Sequence, residues 1–293
     1  MDIFNSWLFS TVEPFLCWNR FSILVYLVTS LGDYSELGVI NFLLVFAKNS
    51  FLVLIYYGAF HYQLYIKRAQ DIDFKFNPKW PIENSKQFLF GSQTKDNVFL
   101  TFCSGVFIWS CFEIFILWFA TNNNLKLINL DESMFYFVMM LLLIHLWRDL
   151  HFYLIHRLIH YEPLYKWAHK THHRNINPGP WSGLAMHPIE HIFYFSCVLL
   201  YLFFPFHPAF IIVTLVHAGL SPAPGHAGFE RIKANDETSF DIDSYAHYLH
   251  HKHFECNYAD GILPLDRWFG TLYDGSEESF LKMRARLSKN NRD

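Results

Sequence analysis

The chain reads as an all-α integral membrane bundle: about four transmembrane helices plus a re-entrant or short helical hairpin, topped by a cytosolic histidine-rich helical cap. Three observations carry this. Of 293 residues 52% are apolar, with 32 Phe, 16 Tyr and 9 Trp, which is oilier than an ordinary cytosolic enzyme. The apolar residues gather in runs near the twenty or so residues that a helix needs to cross a hydrocarbon core. Histidines crowd instead into two stretches, "HRLIHYEPLYKWAHKTHH" at 156–173 and "HYLHHKH" at 247–253.

Runs at about 15–31, 37–60, 98–120 and 134–148 are the candidate spans. Arg20 near the start of the first and Lys48 inside the second have to snorkel, face protein or mark a looser boundary. A fifth run, 192–217, is broken by Pro205 and Pro208, and each half is short for a crossing, which suggests a re-entrant hairpin or two short spans. Segment 61–97 carries Lys67, Arg68, Lys75, Lys79, Lys86 and Lys95, whereas 121–133 has only Lys126. The positive-inside rule therefore puts 61–97 in the cytoplasm. Alternation returns the end of the fourth span to that side, and a hairpin keeps 218–293 there, so both histidine stretches share one face. No repeat or long linker divides the chain. It reads as one integrated domain, with helices and a cytosolic loop over 1–97 and a catalytic region over 98–293.

A net charge of -3 and a near-neutral pI argue against a nucleic-acid binder, which needs a basic surface to neutralise phosphate. Cys17, Cys103, Cys111, Cys197 and Cys256 are scattered, odd in number and without CxxC spacing, so they suggest neither a disulfide framework nor a zinc ribbon. The opening "MDIFNSWLFSTVEPF" lacks a basic region and a cleavage site, and no Asn-x-Ser/Thr sequon occurs, so the N-terminus is expected to be retained.

His156 and His160 stand four apart in a helix-compatible stretch that continues the fourth span, so both imidazoles project from one face. His169, His172 and His173 supply i, i+3 and i+4 positions, and His247, His250 and His251 repeat that pattern. Adjacent histidines diverge by about 100° on a helix, as if each served a different ion. Eight ligands exceed the four to six of a single site, so the count argues for two metals sharing ligands from three boxes. A lone histidine is more often a hydrogen-bonded core or surface residue. Two HxxHH motifs and an HxxxH arriving on one side of a membrane are poorly explained that way. His187, His191, His217 and His253 lie outside the boxes, and each reads as readily as a hydrogen-bonded imidazole as a ligand. Asp149 is a candidate to fix a ligand's second ring nitrogen, or else accepts from backbone. Trp147, Trp167, Trp181 and Trp268, with Tyr161 and Tyr165, read as interfacial belt residues. The C-terminal "KMRARLSKNNR" reads as a solvated basic helix touching anionic headgroups, with docking of an acidic donor as the alternative.

The boxes resemble those of the membrane fatty acid hydroxylase/sterol desaturase superfamily, over about residues 145–274. The family's first-box entry is matched by Asp149, Tyr153, His156 and Arg157, its second box by His169, His172 and His173, and its following element by "HPIE", His187 to Glu190. "HAGFE" resembles the family's stretch after the hairpin and adds His226; "HAGL" at 217–220 is a rival alignment through His217. The last box and tail, "HYLHHKHFECNYADGILPLDRWFGT", match through Asn257, Tyr258, Asp266, Arg267, Phe269, Gly270 and Thr271. Two departures stand out. Ala259 replaces a common glycine, and Glu230 stands where some branches carry a second histidine, so Glu230 is a candidate ligand, a partner for a ligand imidazole, or a surface acid.

The resemblance implies two iron ions, with zinc able to substitute on expression, held by His156, His160, His169, His172, His173, His226, His247, His250 and His251. It further implies O2, a sterol or other lipid substrate, and cytochrome b5 or a ferredoxin as electron donor, since the chain carries no GxGxxG or heme motif. The endoplasmic reticulum, or a bacterial inner membrane, is the implied location. Hydroxylation, desaturation and oxidative demethylation all stay open, as do fatty acyl, sphingolipid and alkylglycerol substrates. Nitrogen-rich ligation suits several metals. A zinc hydrolase would want a general base beside an open position, and no HExxH glutamate is present. A metal transporter would bury ionisable residues within its spans, and a lipid-binding scaffold would have no need of ordered histidines.

Overall fold

The computed structural model describes residues 19–26, 34, 36–123, 125, 127–128, 133–235 and 237–290, and it is mostly helical. Of the first apolar run only α1, 19–26, is described, with Arg20 exposed; the rest of that run, Cys17 and Lys126 lie outside the described residues. Among the described residues four helices are long and apolar enough to cross a membrane: α2 (Val39–Ile66), α3 (Gln93–Asn122), α4 (Met134–Ile159) and α7 (Pro208–Gly225). A shorter apolar helix, α6 (Pro188–Leu202), precedes α7.

Local sequence sets the boundaries. Ser92 and Ser133 cap α3 and α4, each side chain accepting from the backbone N–H three residues on. Pro188 and Pro208 open α6 and α7, where a missing N–H costs nothing. The fifth apolar run thus forms two helices meeting around Pro205, and its second half, extended to Gly225, is longer than the sequence suggested. α4 likewise runs past 148 to Ile159, because the first histidine box continues the helix. The division at 97/98 falls inside α3, so both parts of the chain share that helix.

Exposed Leu43, Leu44, Phe51, Leu54 and Ile55 cover the outer face of α2, as suits a lipid-facing surface. Its inner face is polar and small where it meets the bundle. Lys48 turns inward to an ion pair with buried Glu113 of α3, and Asn49 Nδ2 donates to Ser110 Oγ and Glu113 Oε2, both at 3.1 Å. Facing protein is what an intramembrane charge requires. Tyr57 Oη donates to the Gly219 carbonyl (2.9 Å), and Trp109 lies so close to Gly219 that a β-carbon there would collide with its ring. Small residues let helices approach in this way where lipid supplies no hydrophobic drive.

Beyond the spans lies a cap. It holds α5 (162–173), a 3-10 turn at Pro180–Leu184, a two-stranded hairpin of β1 (Arg231–Lys233) and β2 (Ser239–Asp241), then α8 (Tyr245–His253), α9 (Leu265–Trp268) and α10 (Glu277–Asn290). The hairpin is the one departure from an all-α reading among the described residues. Segment 67–92 joins this cap: Phe76 N–H donates to Gly228 O, Glu230 N–H donates to Phe74 O, and Arg174 donates to the Gln87 carbonyl (3.0 Å). The lysine-rich segment and the histidine boxes therefore sit at one end of the bundle.

Candidate metal centre

Nine histidines converge there in two groups: His156, His160, His169, His173 and His250 in the first, and His172, His226, His247 and His251 in the second. The helices explain the division. His169 and His173, four apart in α5, face the first group, while His172 turns to the second. In α8 the pattern is mirrored, with His247 and His251 in the second group and His250 crossing to the first. A π-turn over Tyr165–His169 leads into the second box, a feature common at functional sites. α4 brings His156 from the membrane, and the end of α7 brings His226.

Within each group the Nε2 atoms face one another. His160, His169, His173 and His250 show separations of 2.9 to 3.3 Å in the first group. His172, His226, His247 and His251 show 2.9 to 3.2 Å in the second. Donors about 2.1 Å from a shared ion stand about 3.0 Å apart at right angles and about 3.4 Å apart at the tetrahedral angle. The tautomers agree. His156, His226 and His250 donate from Nδ1 to the carbonyls of Tyr258 (2.8 Å), Pro222 (2.8 Å) and Cys256 (2.6 Å), leaving each Nε2 a bare lone pair. His169 Nδ1 lies 2.7 Å from Glu190 Oε1, a carboxylate–imidazole pair of the kind that orients a metal ligand. Lone pairs aimed at each other repel unless a cation lies among them, so both groups fit a bound metal ion.

Charge state points the same way. Burial first, and neighbouring imidazoles second, hold His169, His173, His247, His250 and His251 well below the usual histidine range, and burial brings His226 down to about 4. Neutral imidazole is the form that ligates. Against the two groups lies a narrow cavity of about 20 Å³. Phe152, Ile155, Ile159, Met186, Tyr194 and Pro222 supply its apolar wall, and Glu190 and Asp260 its carboxylates.

Several expected residues lie elsewhere. Glu230 is exposed, and its backbone belongs to the β1 edge. His187 caps α6, Nδ1 accepting from Ile189 N–H, and His217 packs edge-on against His145. His191 meets Ser104 Oγ at 2.8 Å, and His253 rests on Tyr273 and Phe280. Asp149 does not reach a ligand imidazole. Its Oδ2 accepts from the backbone N–H groups of Ile262 (2.6 Å) and Leu263 (3.2 Å), while Tyr153 Oη meets Thr271 Oγ1 at 3.2 Å. Both residues dock the tail, 258–272, onto α4. Asp266 ties that tail together, accepting from Tyr258 and Ala259 N–H and from Thr271 Oγ1. Trp181 is core, and Trp147 donates to the Cys197 carbonyl; Tyr161, Trp167 and Trp268 are exposed as a belt requires. The residues missed by sequence reasoning are the imidazole partners: Glu190, whose only signal was its place in "HPIE", and three backbone carbonyls, which carry no signal.

Residues 141–271, which hold every one of these histidines, match the Fatty acid hydroxylase family model. This region belongs to the fatty acid hydroxylase/sterol desaturase superfamily. The chain is 33% identical over 170 residues to Delta(7)-sterol 5(6)-desaturase ERG3B of Gibberella zeae, covering 54% of itself and 49% of that protein. Over 149 residues it is 29% identical to Delta(7)-sterol-C5(6)-desaturase of Nicotiana tabacum, covering 45% and 48%. Methylsterol monooxygenase 1 of Gallus gallus is 26% identical over 147 residues, covering 47% and 48%. The chain thus spans about half the length of these relatives. No solved structure matches it.

Proposed function

We propose that this chain is a membrane-bound di-iron oxidoreductase that uses O2 and external electrons to hydroxylate, desaturate or oxidatively demethylate a sterol or other bulky lipid. The observation that carries the proposal is the pair of Nε2-lined groups opening on an apolar cavity at the end of a membrane bundle. Iron bound there would supply the activation of O2 for attack on a C–H bond. The first ion would be held by His156, His160, His169, His173 and His250, the second by His172, His226, His247 and His251. Around them the protein's own groups fix geometry: Glu190 and the carbonyls of Pro222, Cys256 and Tyr258 set which ring nitrogen carries the proton. Phe152, Ile155, Ile159 and Met186 hold the alkyl or ring carbon and keep water away. A carbon held within reach of the metal pair reacts as an intramolecular partner, and its exact position selects hydroxylation or desaturation.

A sterol is favoured over a fatty acyl chain because the relatives are named for sterol reactions. The lysine asymmetry favours a cytoplasmic centre, where cytochrome b5 or a ferredoxin with its reductase would deliver electrons. The test is to incubate the purified chain in lipid with donor, reductant and labelled sterols or fatty acyl lipids. An oxygen-dependent mass change on a sterol is expected. Product formed equally under nitrogen would exclude oxygen chemistry, and product from acyl lipids alone would move the chain to the hydroxylase branch.

A further inference from the structure

The docked tail presents a row of apolar side chains to the outside. Ile262, Trp268, Phe269 and Leu272 are 41%, 63%, 54% and 44% exposed. Their exposure is enforced, because Asp266, Asp149 and the Tyr153–Thr271 contact fix the backbone between them. Phe269 also stacks on Tyr153, with centroids 5.3 Å apart. The anchoring level is informative. Asp149 precedes His156 by seven residues, so at 1.5 Å per residue the tail is tied about 10 Å further down α4, toward the bilayer, than the first-group ligand. From that depth up to the first box the outer face of α4 is Leu150, Leu154 and Leu158, all exposed and part of a membrane span.

We propose that residues 262–272 form a lip immersed in the bilayer interface beside α4. The tail continues the lipid-facing leucine row rather than facing water. Arg157 and Arg267, both exposed, flank it at the height where guanidinium groups reach headgroup phosphates, and Trp268 supplies the amphipathic ring that favours this layer. Asp260, next to the lip, also lines the cavity, so the immersed edge borders one wall of it.

A nitroxide at Trp268→Cys, in the full chain carrying Cys17→Ser, Cys103→Ser and Cys111→Ser and reconstituted in phosphatidylcholine vesicles, tests this directly. Labels at Leu154→Cys and Lys252→Cys serve as bilayer and water standards. The label at 268 is expected to be broadened by O2 and shielded from a water-soluble nickel chelate, as at 154. Nickel broadening equal to that at 252 would overturn the proposal. Should that variant fail to insert, the emission lost between the native chain and Trp268→Phe serves instead. Bromine-labelled phosphatidylcholine is expected to quench that difference, and an unquenched difference would overturn it. Neither readout depends on metal or turnover.

Discussion

His172 and His173 are chain neighbours whose Nε2 atoms serve different groups: that of His172 lies 3.2 Å from His226 Nε2, and that of His173 lies 3.1 Å from His250 Nε2. One peptide unit thus joins the two groups. His172→Ala is expected to lower bound metal from two ions per chain to one, losing the second site, and His173→Ala to lose the first. Both should abolish turnover without loss of membrane insertion. Elemental analysis with metal-edge absorption spectroscopy reads the difference, and unchanged stoichiometry in either variant would remove that residue from the ligand set.

Glu190→Ala should loosen the first site selectively. Losing the carboxylate behind a ligand imidazole typically weakens metal binding by about 10- to 100-fold. Chelator competition is the measurement, with the second site as internal reference. Glu190→Gln, which keeps an acceptor for His169 Nδ1, should recover part of the loss.

Asp149→Ala should free the tail. Two backbone N–H groups lose their acceptor at a cost of about 1–3 kcal/mol. A lower melting temperature in detergent and new proteolytic cleavage within 258–272 are expected. A melt and digestion pattern like those of the unmodified chain would show that Asp149 does not dock this segment.

Gly219→Ala places a methyl group into the Trp109 ring between α7 and α3. Overpacking of this kind costs about 1–3 kcal/mol. The bundle should melt earlier, while metal affinity at the first group, to which neither residue contributes a ligand, stays within error.

Lys79→Cys and Lys282→Cys, both at exposed positions, should react equally with an impermeant thiol reagent in sealed vesicles, because 67–92 and the cap contact each other directly. Labelling of both from the cytoplasmic side is expected. Opposite accessibility would break the single-cap architecture.

The histidine positions were legible because periodicity in a helix is a local property: residues i and i+4 share a face wherever the helix lies. That rule alone separates His172 from His173. The partners behind the ligands were not legible. Glu190 meets His169 across a turn of chain, and the carbonyls of Pro222, Cys256 and Tyr258 have no residue-type signature. Lys48 posed the same difficulty, since its partner Glu113 lies 65 positions away on another helix. Asp149 and Glu230 stayed open in the sequence for a related reason. A carboxylate near a metal box in sequence can spend its oxygens on backbone, as Asp149 does, or point to solvent, as Glu230 does.

α4 runs unbroken from the lipid to His156, and Asp149 and Tyr153 fasten the tail to the same rod. When a bilayer is thicker or thinner than the hydrophobic length of a helix, the helix tilts to compensate. Here tilt carries the fastened tail and the His156 ring as one body, so the distance from that tail to the first-group imidazole is set by covalent rise along α4 and is insulated from membrane thickness.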